Sequence, residues 1–546
     1  MARTMDETLR FITQDYLRQV DPDNPPDPDT LIGDILERIA KSYETTNNHR
    51  PKNQQWKIPN RLLPSQVADI LLRLYPIANI ACAGVSADRS YDMLSIYNTE
   101  GPDTGIYTSD TKTFRTLIAK YAYTFSKKEI DDTLTKLEDQ APRLGLCEQK
   151  NLIAVNNGIF DYDKKQLLPF SQDMVFISKS RVNYNPNAKN VVIHNDEDGT
   201  DWDMESWMDE LTDDPEIVNL LWEILGAIIR PNVSWNKSAW FYSDTGNNGK
   251  GTLCELMRQL CGEGTYASIP LADFSKDFML EPLLHASAVI VDENDVGTFI
   301  DKAANLKAII TGDVFQMNRK HKSAIAYRFR GFMVQCLNEL PRIRDKSDSF
   351  YRRQLFIPFT KCFTGKERKY IKDDYLHRKD VLEYVLYRVL NMNYYTLSEP
   401  QACIMALNEY KQYNDPVRQF IEEVLPECVW DLLPYSFLFD LYRAWFEKNA
   451  PNGTLQGKNT FINSLRSILK GNEEWFICER SNTVRTGNHM DKAEPLILKY
   501  NLKDWMTPLT INSKDPLTAC HPKILNPNYR GLLRVTAKDP DDTEEN

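Results

Sequence analysis

The residues with the clearest chemical pattern lie in one short stretch near the middle of the chain. An apolar, aromatic run at residues 239–242 is followed by a turn rich in Gly and Asn, and then by apolar residues at helical spacing. Backbone N–H groups at such a turn and at the helix N-terminus attract phosphate groups, and a Lys there reaches the β and γ oxygens. The candidate nucleotide-binding residues are Gly246, Asn247, Asn248, Gly249, Lys250, Gly251 and Thr252.

This stretch departs from the common phosphate-binding pattern at two positions. Asp244 occupies a place that is usually Gly, and Gly251 separates Lys250 from the hydroxyl of Thr252. The alternative is a glycine turn that only joins a strand to a helix. Residues further along the chain favour the nucleotide site.

Two further predicted strands end in polar residues. The run 286–291 is followed by Asp292 and Glu293, and the run 332–337 is followed by Asn338. An Asp at a strand end can hold Mg²⁺, a neighbouring Glu can polarise an attacking water, and an Asn can lie beside the γ-phosphate. The alternatives are a strand that leads into a polar turn and an Asn that caps the next turn.

Basic residues are concentrated between residues 316 and 353. This segment has ten Lys or Arg against three Asp or Glu, which is +7 in a chain of net charge −11. Arg352 and Arg353 precede an apolar strand, and either could act as an arginine finger that stabilises charge on a phosphoryl group of a neighbouring subunit. A surface ion-pair site is the alternative.

A predicted hairpin tip carries three of these Lys and Arg residues together with a His. They are Arg319, Lys320, His321 and Lys322. On a ring-forming ATPase, such a tip would contact DNA phosphates and position the strand without reading its sequence. A solvated charged surface is the alternative.

Asp161 and Asp163 form a second acidic pattern, next to a predicted hairpin around Asn157 and Gly158. Two carboxylates at this spacing could hold a metal for nucleotidyl transfer. Since no third carboxylate or His is placed convincingly with them, we expect a hairpin rim whose acids face solvent.

Composition argues against several classes of protein. The net charge of −11 and the pI of about 5.4 do not suit a protein that coats nucleic acid indiscriminately. Ten Cys without a C-x-x-C pair, together with seven His, argue against a zinc site or a disulfide framework and for a reducing, cytoplasmic location. No membrane partner is expected, because the start lacks a signal-peptide core and the apolar stretch 67–85 contains Asp69 and Arg73.

The length and the breaks in pattern predict a multidomain α/β protein. We expect an N-terminal α+β region at 1–110, a helical and hairpin region at 111–205, an ATPase domain at 206–398, a winged-helix-like DNA-binding domain at 399–506 and an extended tail at 507–546. The winged-helix prediction rests on three helical stripes followed by a hairpin of residues 475–479 and 484–485. A small α+β packing domain is the alternative.

In this order, the motifs resemble those of the superfamily 3 helicases, and within them the phage, plasmid and poxvirus-type primase-helicase proteins. The resemblance covers roughly residues 110–505. It rests on residues 246–252, Val289 to Asn294, the Lys320–Lys322 tip, and Asn338 with Arg352 and Arg353. It implies a P-loop AAA+-like core, ATP and Mg²⁺, a hexameric ring on single-stranded and duplex DNA, and replication-protein partners in the host cytoplasm of a phage.

The resemblance also implies a role for each matching residue. Lys250 would hold the ATP phosphates, and Thr252 and Asp292 would serve the Mg²⁺ site. The other implied roles are water activation for Glu293, γ-phosphate sensing for Asn338, DNA contact for Lys320 and His321, and the finger for Arg353 or Arg352. Relatives often carry a nucleotidyl-transferase domain at the N-terminus, but only about 110 residues precede the similar region here. We therefore expect a helicase without a complete primase domain.

Three functions are consistent with these patterns. The first is an ATP-driven, ring-forming DNA helicase or replication initiator of a phage or mobile element. The second is a P-loop phosphotransferase, although the Asp292–Glu293 pair, Asn338 and the basic tip have no obvious place in one. The third is a non-motor origin-binding protein that uses nucleotide only for assembly.

Overall fold

The computed structural model describes residues 4–82, 84, 88–320, 322–449, 455–478, 483–507, 515–522 and 525–537. The chain divides into two compact units, Met1–Ile404 and Met405–Asn546. The predicted start of the C-terminal domain at residue 399 lies six residues before that division. Within the described residues, no helix is both long enough and apolar enough to span a bilayer.

The first part of the N-terminal unit consists of five helices and a four-stranded sheet. The elements are α1 (Met5–Gln19), α2 (Pro28–Asn47), α3 (Pro64–Leu74), β1 (Ile77–Ala81), β2 (Met93–Tyr97), β3 (Tyr107–Thr108), α4 (Thr111–Ala122), α5 (Lys127–Gln140) and β4 (Arg143–Gly145). Local sequence explains the helix starts. Asp27 caps α2 through the N–H of Thr30, with Pro28 in the first turn, and Ser126 forms a capping box with Glu129 at α5.

One hydrophobic core joins all of these helices. It extends from Leu9 in α1 to Leu137 in α5 and includes the buried Ile35, Ile70 and Ile118. Strand β4 also pairs with β1, in parallel. The structure therefore does not separate a 1–110 region from a 111–205 region, because helices on both sides of residue 110 bury their apolar faces in the same core.

Short antiparallel elements connect this part to the main sheet. They are the meander β5 (Leu152–Val155), β6 (Gly158–Asp161) and β7 (Gln166–Leu168), the hairpin β8 (Ile193–Asn195) and β9 (Thr200–Trp202), and the helices α6 (Met204–Glu210) and α7 (Pro215–Ile228). The pairing of Val155 with Gly158 confirms the predicted Asn-Gly hairpin.

A five-stranded parallel sheet forms the centre of the unit. Its region contains β10 (Ser238–Tyr242), α8 (Lys250–Cys261), β11 (Tyr266–Ala267), β12 (Ala288–Val291), β13 (Phe299–Ile300), α9 (Ala304–Thr311), β14 (Val314–Arg319), β15 (Lys322–Arg328), β16 (Phe332–Leu337), β17 (Arg342–Ile343), α10 (Asp348–Tyr351), β18 (Gln354–Pro358), α11 (Lys369–Asp373) and α12 (Lys379–Leu390). The sheet order is β11-β12-β16-β10-β18, and every pairing is parallel.

Burial on both faces explains the sequences of these strands. All residues of β12 and β16 are buried, as near-continuous apolar runs in parallel sheets require. Parallel pairing also places the carboxyl ends of β10, β12 and β16 at one edge of the sheet. The amino ends of β10 and β18 lie at the opposite edge, where Ser238 pairs with Gln354.

The C-terminal unit combines helices with a three-stranded antiparallel sheet. Its elements are α13 (Gln401–Asn414), which begins just before the unit, α14 (Pro416–Val424), β19 (Leu432–Pro434), α15 (Tyr435–Asn449), α16 (Lys458–Ile468), β20 (Trp475–Ile477), β21 (Val484–Arg485), α17 (Leu496–Lys499), β22 (Asn528–Tyr529) and β23 (Gly531–Arg534). The sheet order is β19-β23-β20.

Two expectations for this unit are wrong. The predicted hairpin does not form, because β20 pairs with β23 and β21 pairs with β22. The expected extended tail contains the central strand β23, in which Leu532 and Leu533 are buried. Gly531 permits this pairing, since an added Cβ would lie 2.0 Å from the carbonyl oxygen of Leu433. A four-residue strand after a long polar segment gave too little periodic signal to be recognised.

Candidate functional site

The turn after β10 presents backbone N–H groups at the start of α8. Asn247 and Gly249 have left-handed backbone angles, with φ of 52° and 86°. Gly249 is the N-cap of α8 and provides no side-chain hydrogen bond, and the N–H of Lys250 donates to Oδ1 of Asn248 at 3.4 Å. The positive end of the α8 dipole therefore faces the turn, which suits an anionic ligand.

Lys250 lies at the bottom of this turn. Its side chain is only 4% exposed, and its Nζ donates a hydrogen bond of 3.2 Å to Oδ1 of Asn338. Burial lowers the pKa of Lys250 below its ordinary value. The contact brings together two residues that are 88 positions apart in sequence, at the carboxyl ends of the neighbouring strands β10 and β16.

The two Asn residues of the turn hold its shape. The Nδ2 of Asn248 donates to the carbonyl oxygen of Thr245 across the turn. The Nδ2 of Asn247 donates to Glu367 at 3.1 Å, and its carbonyl oxygen accepts from the N–H of Phe363 at 2.7 Å. The turn is thus ordered by its own amides and by the segment that follows β18.

A cleft of about 370 Å³ opens beside the turn. Trp207, Leu211, Phe363 and Ile371 line it with apolar surface. Asn247 contributes from the turn and Thr252 from the start of α8. Arg368 and Glu210 form an ion pair in its wall. Lys366, Lys369 and Lys372 also line the cleft. A cleft that combines apolar surface with charged groups is a common form of ligand site.

Asp292 lies at the same edge of the sheet but is engaged by α8. The Nη2 of Arg258 donates to Oδ1 of Asp292 at 2.9 Å, and Asp292 remains 44% exposed. Burial would raise the pKa of Asp292, but the hydrogen bond and charge of Arg258 lower it below its ordinary value. Glu293, the next residue, is exposed.

Two buried polar residues that order this edge were not predicted from the sequence, Asn294 and Gln335. Asn294 is buried, accepts from the N–H of Leu271 at 2.8 Å and donates to Oε1 of Gln335 at 2.9 Å. Gln335 in turn donates to the carbonyl oxygen of Ile269. This network fixes the ends of β12 and β16 relative to each other. The available signal was Gln335 itself, a polar residue inside an apolar strand.

The basic segment forms the predicted hairpin. Strands β14 and β15 pair antiparallel, with an irregularity between Met317 and Arg319. Arg319 is half-buried, Lys320 is exposed and Lys322 begins β15, whereas His321 lies outside the described residues. The Nδ2 of Asn318 donates to Asp277 at 2.8 Å, which ties the hairpin to the loop before residue 284.

That loop carries a strained aromatic residue that the sequence did not reveal. Phe278 has φ of 66° and is 52% exposed, and its neighbour Met279 is also exposed. A left-handed backbone at a bulky residue costs about 1–3 kcal/mol and is concentrated at functional sites. The only sequence signal was an apolar pair after the polar run 275–277.

Arg352 and Arg353 lie at the opposite edge of the sheet from Lys250. The carbonyl oxygen of Arg353 accepts from the N–H of Ser238 at 2.8 Å, at the start of β10. The length of β10 separates this point from the turn, which is about 15 Å at 3.3 Å per residue. Arg352 is exposed, whereas the guanidinium of Arg353 contacts the carbonyl oxygen of Ser349. Burial and the charge of Arg352 lower the pKa of Arg353.

The Asp161 and Asp163 pair is structural. The expectation that both acids face solvent is wrong for Asp161, which is buried and accepts from Asn151 and from the N–H groups of Asp163 and Lys164. The N–H groups of Asp163 and Lys164 need an acceptor within this turn, which explains why the Asp161 carboxylate is buried instead of facing solvent. Asp163 accepts from the hydroxyl of Tyr395 at 2.6 Å. Across the described ranges, no group of three or more His, Cys, Asp or Glu is arranged to hold a metal.

Three protein-family models match separate parts of the chain. The model described as D5 N terminal like matches residues 36–217, a family of unknown function (DUF5906) matches residues 241–353, and Poxvirus D5 protein-like matches residues 412–500. The chain is thus similar to D5-like proteins in two separate segments, one on each side of the segment matched by the family of unknown function. No curated protein matches the chain.

Solved structures give a distant likeness. An apo structure of the NrS-1 C terminal region is 14% identical, covers 83% of this chain and 92% of its own, and has a TM-score of 0.41. A second one, of residues 305–718, is 14% identical, covers 86% and 99%, and has a TM-score of 0.42. These scores are too low to establish a shared fold.

The geometry of the turn predicts that Ala lowers stability at Gly249 but not at Gly251. In Gly249→Ala, the new Cβ would meet Leu211 Cδ2 at 2.6 Å at a φ of 86°, so we expect a loss of about 1–3 kcal/mol in the free energy of unfolding. Gly251→Ala meets nothing within 4 Å, and we expect it to be neutral or stabilising by up to about 1 kcal/mol.

Denaturant unfolding of the two variants and the wild type measures these differences in the free energy of unfolding. Equal stability of Gly249→Ala and Gly251→Ala would contradict the described turn.

Proposed function

We propose that this chain is an ATP-dependent DNA helicase that acts in the replication of a phage or another mobile genetic element, and that it works as a ring. The observation that carries the proposal is the hydrogen bond between Lys250 and Asn338 beneath the turn that begins α8. β10 lies between β16 and β18, so the turn is at the point where the strand order changes direction, which is where ligands bind in open parallel sheets.

The arrangement suits a nucleoside triphosphate. The α8 N-terminus and the turn would hold the phosphates, Lys250 would contact the β and γ oxygens, and Asn338 would lie at the γ-phosphate. The adjacent cleft would take the base. Mg²⁺ commonly binds through one or two protein oxygens together with phosphate and water. The carboxylate of Asp292 and the hydroxyl of Thr252 fit that requirement, and the metal would neutralise charge on the transferring phosphoryl group.

In this arrangement Arg258 competes with the metal for Asp292. A cation that binds Asp292 must displace or share the Arg258 guanidinium, which holds that carboxylate at 2.9 Å. Glu293 has an exposed carboxylate at the same strand end and would orient the attacking water.

The position of the two arginines supports action between subunits. Arg352 and Arg353 are at the far edge of the sheet from Lys250, so neither can serve the nucleotide of its own subunit without a large rearrangement. An arginine finger provided to a neighbour needs this separation. In a ring, the far edge of one subunit would face the turn of the next.

DNA contacts are proposed for the basic hairpin and the loop tied to it. Lys320 would contact phosphates, and the exposed ring of Phe278 would stack on a base or bear against the strand. In the C-terminal unit, α14, α15 and α16 with the sheet β19-β23-β20 support a winged-helix-like duplex-binding role.

One observation favours the alternative in which nucleotide serves only assembly. With Asp292 neutralised by Arg258, the site could bind nucleotide without hydrolysing it. Sequence-specific duplex binding without DNA-stimulated turnover would support that alternative. Phosphate transfer to an acceptor nucleotide would support a phosphotransferase.

The proposal predicts ATP hydrolysis that single-stranded DNA stimulates and that depends on Lys250. In Lys250→Ala we expect hydrolysis to fall by about a hundredfold or more, because a buried cation at the phosphates is lost. Lys379→Ala is the control, since Lys379 lies in α12 away from the turn and the hairpin, its side chain is 78% exposed, and it pairs with Glu383 one helical turn later. Melting curves exclude misfolding. Hydrolysis by Lys250→Ala at the wild-type rate would refute the site.

The hairpin and Phe278 should act on DNA coupling rather than on ATP binding. We expect Phe278→Ala and Lys320→Ala each to reduce stimulation by single-stranded DNA severalfold, while the basal rate and nucleotide affinity stay within about twofold of the wild type. Met279→Ala, next to Phe278 and similarly exposed, is the control for Phe278. Stimulation that is unchanged in both variants would exclude this DNA contact.

Mixing two inactive variants tests the arginine finger. Lys250→Ala subunits keep the finger, and Arg353→Ala or Arg352→Ala subunits keep the turn, so a mixed ring contains some complete sites. In equal mixtures about a quarter of the sites should be complete, and hydrolysis should exceed that of either variant alone. Arg352→Ala and Arg353→Ala are each mixed with Lys250→Ala, in separate experiments. No recovery in either mixture, with mixed assembly demonstrated, would contradict the trans arrangement.

A further inference from the structure

The loop between α2 and α3 is rich in basic and amide side chains. Residues 48–61 contain four Lys or Arg and no Asp or Glu, within a chain whose net charge is −11. The remaining residues therefore carry a net charge of −15. Asn and Gln make up five of the same fourteen residues, so the segment is rich in hydrogen-bonding groups as well as in cations.

The loop is ordered by one side chain at the end of α2. The Nδ2 of Asn47 donates to the carbonyl oxygen of Trp56 at 2.8 Å, and its Oδ1 accepts from the N–H of Trp56 at 2.7 Å. The Trp56 ring packs edge-on against the buried Tyr43, with centroids 4.9 Å apart. Trp56 is therefore held in place while remaining half-exposed.

The guanidinium group of Arg50 lies over this fixed ring. The guanidinium carbon of Arg50 is 4.2 Å from the centroid of the Trp56 ring. Lys52 and Lys57, on either side of Trp56 in the sequence, are exposed, and so is Ile58 at 39%. Among the described residues, Arg50, Lys52 and Lys57 have no ion-pair partner. Arg61 is paired with Glu129, so we do not count it as a ligand group.

We propose that this surface, Arg50 with Lys52, Trp56 and Lys57, is a second binding site for single-stranded nucleic acid. A base would extend the stack of Trp56 and Arg50, because guanidinium planes and aromatic rings both accept unpaired bases. Lys52 and Lys57 would contact the flanking phosphates, and the loop amides would bind sugar or base edges. The site needs neither nucleotide nor the basic hairpin, and so does not rest on the proposed ATPase.

The chemistry favours a single strand over other anionic partners. A duplex keeps its bases stacked inside and gives the Trp56–Arg50 stack no partner, and an acidic peptide has no flat ring to place there. The ring of Trp56 and the guanidinium of Arg50 suit unpaired bases, and the ammonium groups of Lys52 and Lys57 suit the phosphates beside them.

The first experiment measures the affinity of the full chain for a fluorescent 20-residue oligo-dT without nucleotide, across a series of salt concentrations. We expect Lys52→Ala with Lys57→Ala to weaken binding by about tenfold at low salt. The slope of the logarithm of the association constant against the logarithm of the salt concentration should become less steep by about 1.4, because two phosphate contacts with a single strand are lost. Both lysines are exposed, so the variant should fold.

The matched control is Lys112→Ala with Lys136→Ala. These lysines are also exposed, lie in α4 and α5 of the same unit, and give the same change in net charge. An equal loss in this control, or no loss in the test variant, would overturn the proposal. The test and control variants are then measured again with Lys320→Ala added. The loss of affinity caused by Lys52→Ala with Lys57→Ala should persist, because the proposed site does not depend on the hairpin.

The second experiment tests the stack. Wild-type protein should bind oligo-dT at least about fivefold more tightly than an abasic strand of equal length, and Arg50→Lys should narrow that ratio, since it keeps the charge but removes the plane. A ratio unchanged by Arg50→Lys would refute base stacking. Equal dependence on Lys52 and Lys57 for a duplex, or for polyglutamate in place of DNA, would refute the single-strand assignment.

Discussion

The parallel pairing of β10, β12 and β16 is the constraint on which the rest of the structure depends. It brings the turn after β10, the acids after β12 and Asn338 after β16 to one edge, although 88 residues separate Lys250 from Asn338. Lys250 is buried there with an amide oxygen as its partner, and burial lowers its pKa. A buried ammonium with no carboxylate partner is costly unless an anion compensates it. At the proposed nucleotide site, a bound phosphate would provide that anion.

The same constraint separates the two halves of the proposed catalytic apparatus. Strand direction places Arg352 and Arg353 at the amino edge of β18 and the turn proposed to bind phosphate at the carboxyl edge of β10. In the proposed ring, each subunit would provide one half of a site at each edge of its sheet, and neighbouring subunits would join the halves. The Arg258–Asp292 pair adds a second condition, because the acid must be released before a cation can occupy it fully.

Sequence patterns predicted this edge well because each motif is local. The glycine turn, the acids that end β12 and the Asn that ends β16 are each read within a few residues, and parallel pairing then determines that they meet. The contacts that depend on distant partners could not be predicted. No periodic pattern in the sequence indicates three of these features: the ion pair of Arg258 with Asp292, the hydrogen bond of Asn294 with Gln335, and the left-handed backbone of Phe278. The failed C-terminal hairpin has the same cause, since β20 pairs with a strand more than fifty residues later.

The most direct test of the central claim is a structure of the chain bound to a non-hydrolysable ATP analogue and Mg²⁺. The account predicts the γ-phosphate between Nζ of Lys250 and the amide of Asn338, the base in the cleft beside Phe363, the metal at Thr252 and Asp292, and Arg258 displaced from Asp292. A triphosphate bound elsewhere, or an Arg258–Asp292 pair that stays intact with the metal away from both ligands, would contradict it.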